Sequence, residues 1–377
     1  MSDPFPARRL ADEPAEIQSG LFDIAPDWHD YWWGMPSFSM GDARPTKTIA
    51  VNFLTRADFI AFCDKLGIRL SDKSDTMWWP TQEPLSGEFE YDGPKVSTRY
   101  PVCIPSKGRA DCQRTGRALD AMGVDYKFFV EETEYDAYCA ALGEARVFRL
   151  PFYDLGLGSI PARNEIWEWA ALHGHARHWV MDDNIVSFAR CTMNRRLCVR
   201  SGMLFRAIED FADRYENIAI AGPHHKGFVM DRDPSTTPVL WNSRVYSCML
   251  IDTALGHRWR GRYNEDTDLC LRILKGGLCT ALFRALLMDK GTTVGVRNAK
   301  PMPGGNHDSI YAEGDSRRAF AESLREQHPD IVEVVWKFNR WHHQVDYSAF
   351  RKNRPRLRPG VVPTRDENEY GLELRRA

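Results

Sequence analysis

Hydrophobic positions along the chain fall into short blocks that alternate between two periods. Over residues 100–181 the blocks read as strand and helix in turn. YPVCIPS (100–106) is a buried-type strand, and the helix after it carries Thr115, Ala118, Leu119 and Met122 at helical spacing. DYKFFV (125–130) is a second strand, ending at Glu131 and Glu132. A helix over 134–142, a strand over 146–150, a helix over 162–173 and a strand over 178–181 follow. Strands and helices at this spacing predict parallel β-α-β units, whose ligands bind at the carboxyl ends of the strands. Before them, TIAVNF (48–53) alternates like a strand. ADFIAFCDKLG (57–67) sets Phe59, Phe62 and Leu66 on one helical face, with Gly67 as its stop. The spacing at 269–276 predicts another amphipathic helix and 279–288 a last strand, whereas 331–337 fits either element by periodicity.

These blocks divide the chain into an arm over 1–30, a small α+β module with its linker over 31–97, a main α/β domain over 98–315 and a helical, basic extension over 316–377. The linker rests on Pro84, Gly87, Gly93 and Pro94. Twelve tryptophans in 377 residues mark a globular chain, because tryptophan is costly to leave in water. A net charge of −2 gives no global sign of nucleic-acid binding and leaves only local basic surfaces for that role. No apolar run is long enough to cross a bilayer, and the first ten residues lack the apolar core of a signal peptide. Nine cysteines without a CxxC pair or a Cys/His ladder point to reduced thiols and a cytoplasmic setting.

Polar clusters sit where strands end. His178-Trp179-Val180-Met181 runs directly into Asp182, Asp183 and Asn184, oxygen donors suited to Mg²⁺ or Mn²⁺ and through it to a diphosphate. The same three residues also serve as an Asx-turn or helix cap. Ser106-Lys107-Gly108-Arg109 is a glycine-bearing loop after the first strand, either approaching a nucleotide or acting as an ordinary β-α turn. GLGSIPARN (156–164) opens a helix and brings Arg163 to a position for pairing with a diphosphate, although Pro161 near the first turn is also a plain start signal. Glu265 and Asp266 lie in RYNEDTD (262–268), an acidic stretch that opens into the helix over 269–276. They fit a general base acting on an acceptor hydroxyl and equally fit the acidic first turn that a helix dipole favours. His307, in PGGNHD (303–308), is placed as a third metal ligand or as a surface histidine.

Taken in order, IPSKGR, VEE, GLGSIPARN, MDDN, NEDTD and GGNHD resemble the TET-associated glycosyltransferase family, over roughly residues 98–315. These are GT-A-like enzymes encoded chiefly by phages and associated with hypermodified DNA, in which a TET-like dioxygenase first hydroxylates 5-methylcytosine. The resemblance implies a Rossmann-type, mostly parallel sheet flanked by helices. It implies donor contacts from Ser106, Lys107, Arg109, Glu131, Arg163, Asn164 and Asp182, and a metal on Asp183, Asn184 and His307. Asn184 departs from a strict D-x-D and removes one direct charge from that set. Glu265 and Asp266 match the acidic pair of inverting GT-A enzymes, with Asp266 as the base. The implied reaction moves a sugar from a nucleotide-sugar, a UDP-sugar by expectation, to 5-hydroxymethylcytosine in the host cytoplasm. For the DNA, the expected contacts are Arg195 and Arg196, then Arg258, Trp259, Arg260 and Arg262, and the basic run over 351–358. A glycan or small-molecule acceptor, or a non-catalytic nucleotide-sugar-binding module, is the competing expectation.

Overall fold

The computed structural model describes residues 27–42, 45–71, 74, 77, 79, 89–229, 234–261, 263–290, 316–337, 339–364 and 366–377. A ten-stranded sheet carries the fold. Its strands are β2 (Val102–Pro105), β3 (Lys127–Val130), β4 (Val147–Arg149), β5 (Arg177–Met181), β6 (Ile185–Thr192), β7 (Arg195–Cys198), β8 (Ile218–His225), β9 (Val239–Trp241), β10 (Cys248–Asp252) and β11 (Cys279–Lys290). The order is β4-β3-β2-β5-β10-β8-β11-β6-β7, with β9 on β11. The first four run parallel, as the β-α-β spacing requires. Beyond β5 the sheet is mixed: β10 is antiparallel to both β5 and β8, β11 is parallel to β8, and β6 is antiparallel to β11.

Alternation along the strands feeds two cores. Ile104, Phe128, Trp179 and Met181 point to one face, and Cys103, Phe129 and Val180 to the other. The first face is covered by α2 (Arg114–Met122), α3 (Tyr135–Leu142) and α5 (Met203–Asp213). In α5, Leu204, Phe205, Ile208, Phe211 and Ala212 are buried at helical spacing. The second face is covered by α4 (Ile160–Leu172), through Ile166 and Trp167, and by α6 (Glu265–Lys275), through Leu269 and Ile273. Every residue of β5 is buried, the signature of a central strand sandwiched between layers. Glu209 on α5 is fully buried. It accepts hydrogen bonds from Trp179 Nε1 (2.9 Å) and from the backbone nitrogens of Arg99 (2.9 Å) and Tyr100 (3.2 Å), fastening the helix to β5 and to the chain entering β2.

The segment before the sheet departs from expectation. TIAVNF (48–53) is not a strand and pairs with none among the described residues, and Ile49 and Val51 are exposed. The helix after it forms as the pattern predicts: α1 (Arg56–Leu66) opens with a Thr55–Asp58 capping box and stops at Gly67, whose φ of 63° suits glycine. Residues 31–38 join the main core, where Tyr31, Trp32, Met35 and Phe38 are buried. Trp32 packs on Phe211 and Phe283 and donates from Nε1 to the Pro36 carbonyl (2.7 Å).

After the sheet, α7 (Ser316–Gln327) packs on a hairpin of β12 (Val332–Lys337) and β13 (Arg340–Val345). The ambiguous run over 331–337 is therefore strand from 332, held by its partner. Phe350, Leu324 and Val332 seat this region on Leu271 and Leu274 of α6. Beyond it, β14 (Glu373–Arg376) pairs antiparallel with β1 (Phe89–Asp92). Glu369 accepts from the Ser37 backbone (2.8 Å) and from the buried Arg190 of β6, so sheet, entry segment and exit segment share one ion pair.

Trp32→Ala should lower unfolding free energy by about 3–5 kcal/mol, the range for truncating a buried aromatic. Urea denaturation checks this, and a loss below about 0.5 kcal/mol, typical of surface positions, would place residues 31–38 outside the cooperative unit.

Candidate active site

The strand ends gather the polar groups as topology dictates. β5 delivers Asp182 and Asp183, the loop after β2 delivers Ser106, Lys107 and Arg109, β11 delivers Lys290, and the first turn of α6 delivers Glu265 and Asp266. Arg163 stands at the centre. The residue is 4% exposed, and its guanidinium lies 4.6 Å from the Trp259 ring centroid. It donates to Asp266 Oδ1 (2.6 Å) and Asp182 Oδ1 (2.8 Å), with Glu265 Oε1 at 3.8 Å. The resemblance assigned Arg163 to a diphosphate; here it holds three carboxylates from two elements together.

Asp182 has a second cation. Lys290 Nζ lies 2.6 Å from its Oδ2 and 3.0 Å from Ser247 Oγ, and the Asp182 amide donates to the Ser247 carbonyl (2.7 Å). Burial pushes the Asp182 carboxyl up, but Lys290 and Arg163 outweigh it and hold the group below the usual range. Asp183 accepts from Ser106 Oγ (2.6 Å) and is paired with Arg109. Its burial wins, and its carboxyl is raised. Tyr138 shares the Ser106 hydroxyl (2.6 Å). Lys107 reaches Glu131 Oε2 at 2.8 Å and Asp154 at 3.5 Å. Glu265 is raised by burial first and by the charge of Asp266 second, against the pull of Arg163.

A divalent cation does not fit this donor set. Asp182 and Asp183 each face basic side chains already, and a dication there would be repelled by Lys290, Arg163 and Arg109 at close range. Asn184 Oδ1 is buried without a partner among the described residues, and one carboxamide oxygen is too little for a hard cation that takes several oxygens. No group of three His, Cys, Asp or Glu suited to a metal occurs among the described residues, and His307 lies outside them.

Other expectations change as well. Asn164 is not directed at a donor: it clamps the Trp259 backbone, donating from Nδ2 to the carbonyl (3.0 Å) and accepting from the amide (2.9 Å). Trp259, expected to stack on a base, is 2% exposed beneath Arg163. Arg258 pairs with Glu168 (2.7 Å) and Arg260 with the buried Asp268 (3.0 Å). Arg196 donates to the Lys226 carbonyl (2.8 Å), Arg195 is half-buried on β7, and Arg262 lies outside the described residues. Lys290 and Ser247 were missed. Nothing local marks either, because each meets Asp182 only through the β5-β10-β8-β11 strand order.

The family model for TET-Associated Glycosyltransferase matches residues 100–299, the stretch that builds this cluster up to and including Lys290. The chain belongs to the TET-associated glycosyltransferase family. This glycosyltransferase is also similar to a solved structure described as a nucleotide-diphospho-sugar transferase from Desulfovibrio desulfuricans. That likeness has 13% identity and a TM-score of 0.28, covering 46% of this chain and 77% of the other. No curated protein matches. No helix among the described residues of the glycosyltransferase is long and apolar enough to cross a membrane.

Arg163→Met should cost about 3–5 kcal/mol at neutral pH, the usual penalty for leaving buried charge unopposed. The sign with pH follows from Asp182. Its folded pKa is lowered, so its stabilisation is present above the unfolded value of about 3.9 and lost as pH falls through the folded one. The gap between variant and parent should therefore hold from pH 7.5 to about pH 4 and narrow between about pH 4 and pH 2, as read by denaturant titration across that range.

Proposed function

We propose that this glycosyltransferase moves a sugar from a UDP-sugar to the hydroxymethyl oxygen of 5-hydroxymethylcytosine in DNA. Family membership carries the reading, and the cluster of Asp182, Glu265 and Asp266 around Arg163 supports it. In the reaction the acceptor oxygen bonds to the sugar C1, and the C1–O bond to the diphosphate breaks with its electrons passing to the nucleoside diphosphate. The acceptor proton goes to a carboxylate at the start of α6. Glu265 suits that role better than Asp266, because Asp266 is engaged by Arg163 at 2.6 Å while burial raises Glu265 towards a useful proton affinity.

Charge on the departing diphosphate is met by side chains. Lys107, Arg109 and Lys290 converge from the ends of β2 and β11, each facing a carboxylate that a diphosphate can replace as partner. DNA as acceptor is supported by an exposed basic strip. Arg351, Lys352, Arg354, Arg356 and Arg358 are all exposed, and Asn242 Nδ2 pins the strip by donating to the carbonyls of Phe350 (3.1 Å) and Asn353 (2.8 Å).

The direct test incubates the protein with duplex DNA containing 5-hydroxymethylcytosine and a panel of UDP-sugars, then digests the DNA for nucleoside mass spectrometry. A hexose or N-acetylhexosamine added to the modified cytosine is expected. Sugar release without an adduct would remove DNA as the acceptor. Transfer should persist in excess EDTA, whereas a loss beyond tenfold would restore a metal to the site.

Glu265→Gln should slow transfer by about 10²–10⁴-fold, the share of a general base. Its folded pKa is raised, so the ionised form costs stability once pH exceeds the unfolded value of about 4.3. At pH 7 the variant should thus melt no lower than the parent, and a lower melting temperature would mean that Glu265 mainly supports the fold.

A further inference from the structure

A cavity of about 230 Å³ opens beside the carboxylate cluster. Its walls come from the end of β8 (His224), the short helical turn after it (Phe228), the loop before β10 (Arg244, Tyr246), β13 (His343) and the following turn (Tyr347). Three links tie it to the cluster. Arg244 Nη1 lies 3.5 Å from the hydroxyl of Thr267, the residue after Asp266. Tyr246 precedes Ser247, which holds Asp182 and Lys290. The charge of Asp266 also acts on the Tyr246 hydroxyl.

The lining is aromatic with a few polar groups left over. His224 meets the Phe228 and Tyr246 rings edge-on at 6.2 and 6.4 Å, and Arg244 sits 4.5 Å over the Tyr246 ring. Tyr246 Oη and His224 Nδ1 are buried without hydrogen-bond partners among the described residues. Two buried polar atoms left unpaired in a cavity are costly unless a ligand completes them. Burial lowers His224 and His343 to about 4, so both imidazoles are neutral at physiological pH and offer one donor and one acceptor each. Phe228, 67% exposed, stands at the mouth.

Size and surroundings narrow the occupant. The volume is below the roughly 300–1,000 Å³ of drug-sized sites, so one small ring fits and a chain of sugars does not. Ser106, Lys107 and Glu131, placed for the nucleotide-sugar, follow β2 and β3, whereas the cavity is lined from β8, β11, the loop before β10 and the separate hairpin strand β13. The exposed basic strip begins just after Tyr347 in the cavity wall, and Asn242, which pins it, is next to the cavity residue Ser243. The near end of the strip, Arg351 and Lys352, follows the cavity wall, while Arg354 to Arg358 run along residues 213–217 ahead of β8.

We propose that this cavity receives the acceptor base itself, turned out of the DNA stack, with Phe228 stacking at the entrance and Tyr246, His224 and Arg244 reading its polar edge. The inference rests on the DNA reading above and adds its acceptor site. Everting the base brings its hydroxymethyl group to Glu265 and at the same time withdraws it from water, at the cost of unstacking and unpairing. The C-terminal hairpin then acts as part of the acceptor site through His343.

The test uses the whole chain and two duplexes, one with 5-hydroxymethylcytosine opposite guanine and one with it opposite an abasic site. A 2-aminopurine neighbour reports unstacking. Binding should raise the 2-aminopurine fluorescence, and the abasic duplex should give a kcat/KM at least several-fold higher. Phe228→Ala should lower kcat/KM for DNA by roughly 5- to 150-fold, the factor that stacking of one base on an aromatic carries, and Phe228→Trp should recover most of it. Because Phe228 is exposed, the alanine variant is expected to fold, and its melting curve checks that. Equal rates on both duplexes together with an unaffected Phe228→Ala would overturn the cavity while leaving DNA glycosylation intact. Transfer to no DNA at all, alongside sugar delivered to another acceptor, would overturn the DNA reading and the cavity's occupant with it.

Discussion

A single buried guanidinium sets the geometry of this site. Arg163 arrives on α4, over the Trp259 ring, and its two terminal nitrogens take carboxylates from the end of β5 and the start of α6. Without it, Asp182, Glu265 and Asp266 would repel one another in a place with little water to screen them. The other contacts read as supports for that one. Asn164, one residue on, ties α4 to the Trp259 backbone, so the ring on which the guanidinium rests cannot drift. Lys290 takes the second oxygen of Asp182 and leaves its first for Arg163.

This arrangement lets carboxylates of one cluster differ. Asp182, between two cations, is kept ionised, whereas Glu265, at the margin of the guanidinium and beside another negative charge, is raised. Environments that push neighbouring acids apart are how one site obtains both a fixed charge and a proton acceptor. The same economy explains the arginines that were expected on DNA. Arg258 pairs with the exposed Glu168, Arg260 with the buried Asp268 and Arg196 with a backbone carbonyl, and the basic side chains over 351–358 are exposed.

Legibility followed the range of the interactions. The β-α-β run from β2 to β5 was readable because each element carries its own period and stop signal, and the strand-end rule then located Ser106, Arg109, Asp182 and Asp183 near one another. Pairings across the sheet were not readable. Lys290 meets Asp182 from 108 residues away, and nothing around it marks it as anything but a polar strand end. The sequence marks Arg163 as a charge at the site, and not the carboxylates of Asp182 and Asp266 that it faces in the folded chain. Trp259 was misassigned for a related reason: an aromatic between arginines suggests an exposed platform, whereas here it is floor to one of them. TIAVNF has the alternation of a strand but pairs with no strand among the described residues, and alternation alone supplies no hydrogen-bond partner.

The pairing of β1 with β14 has a consequence for synthesis. Arg375 and Asp92, which approach at 3.5 Å, are separated by 283 residues of sequence. At translation rates of about 5–20 residues per second, roughly 15–60 s pass between the emergence of β1 and that of its partner. During that interval the edge of β1 and the aromatic residues over 31–38 that close the same side of the core await Glu369 and β14. The nascent chain therefore carries an open strand edge throughout that interval, the state in which a strand most needs a chaperone's cover.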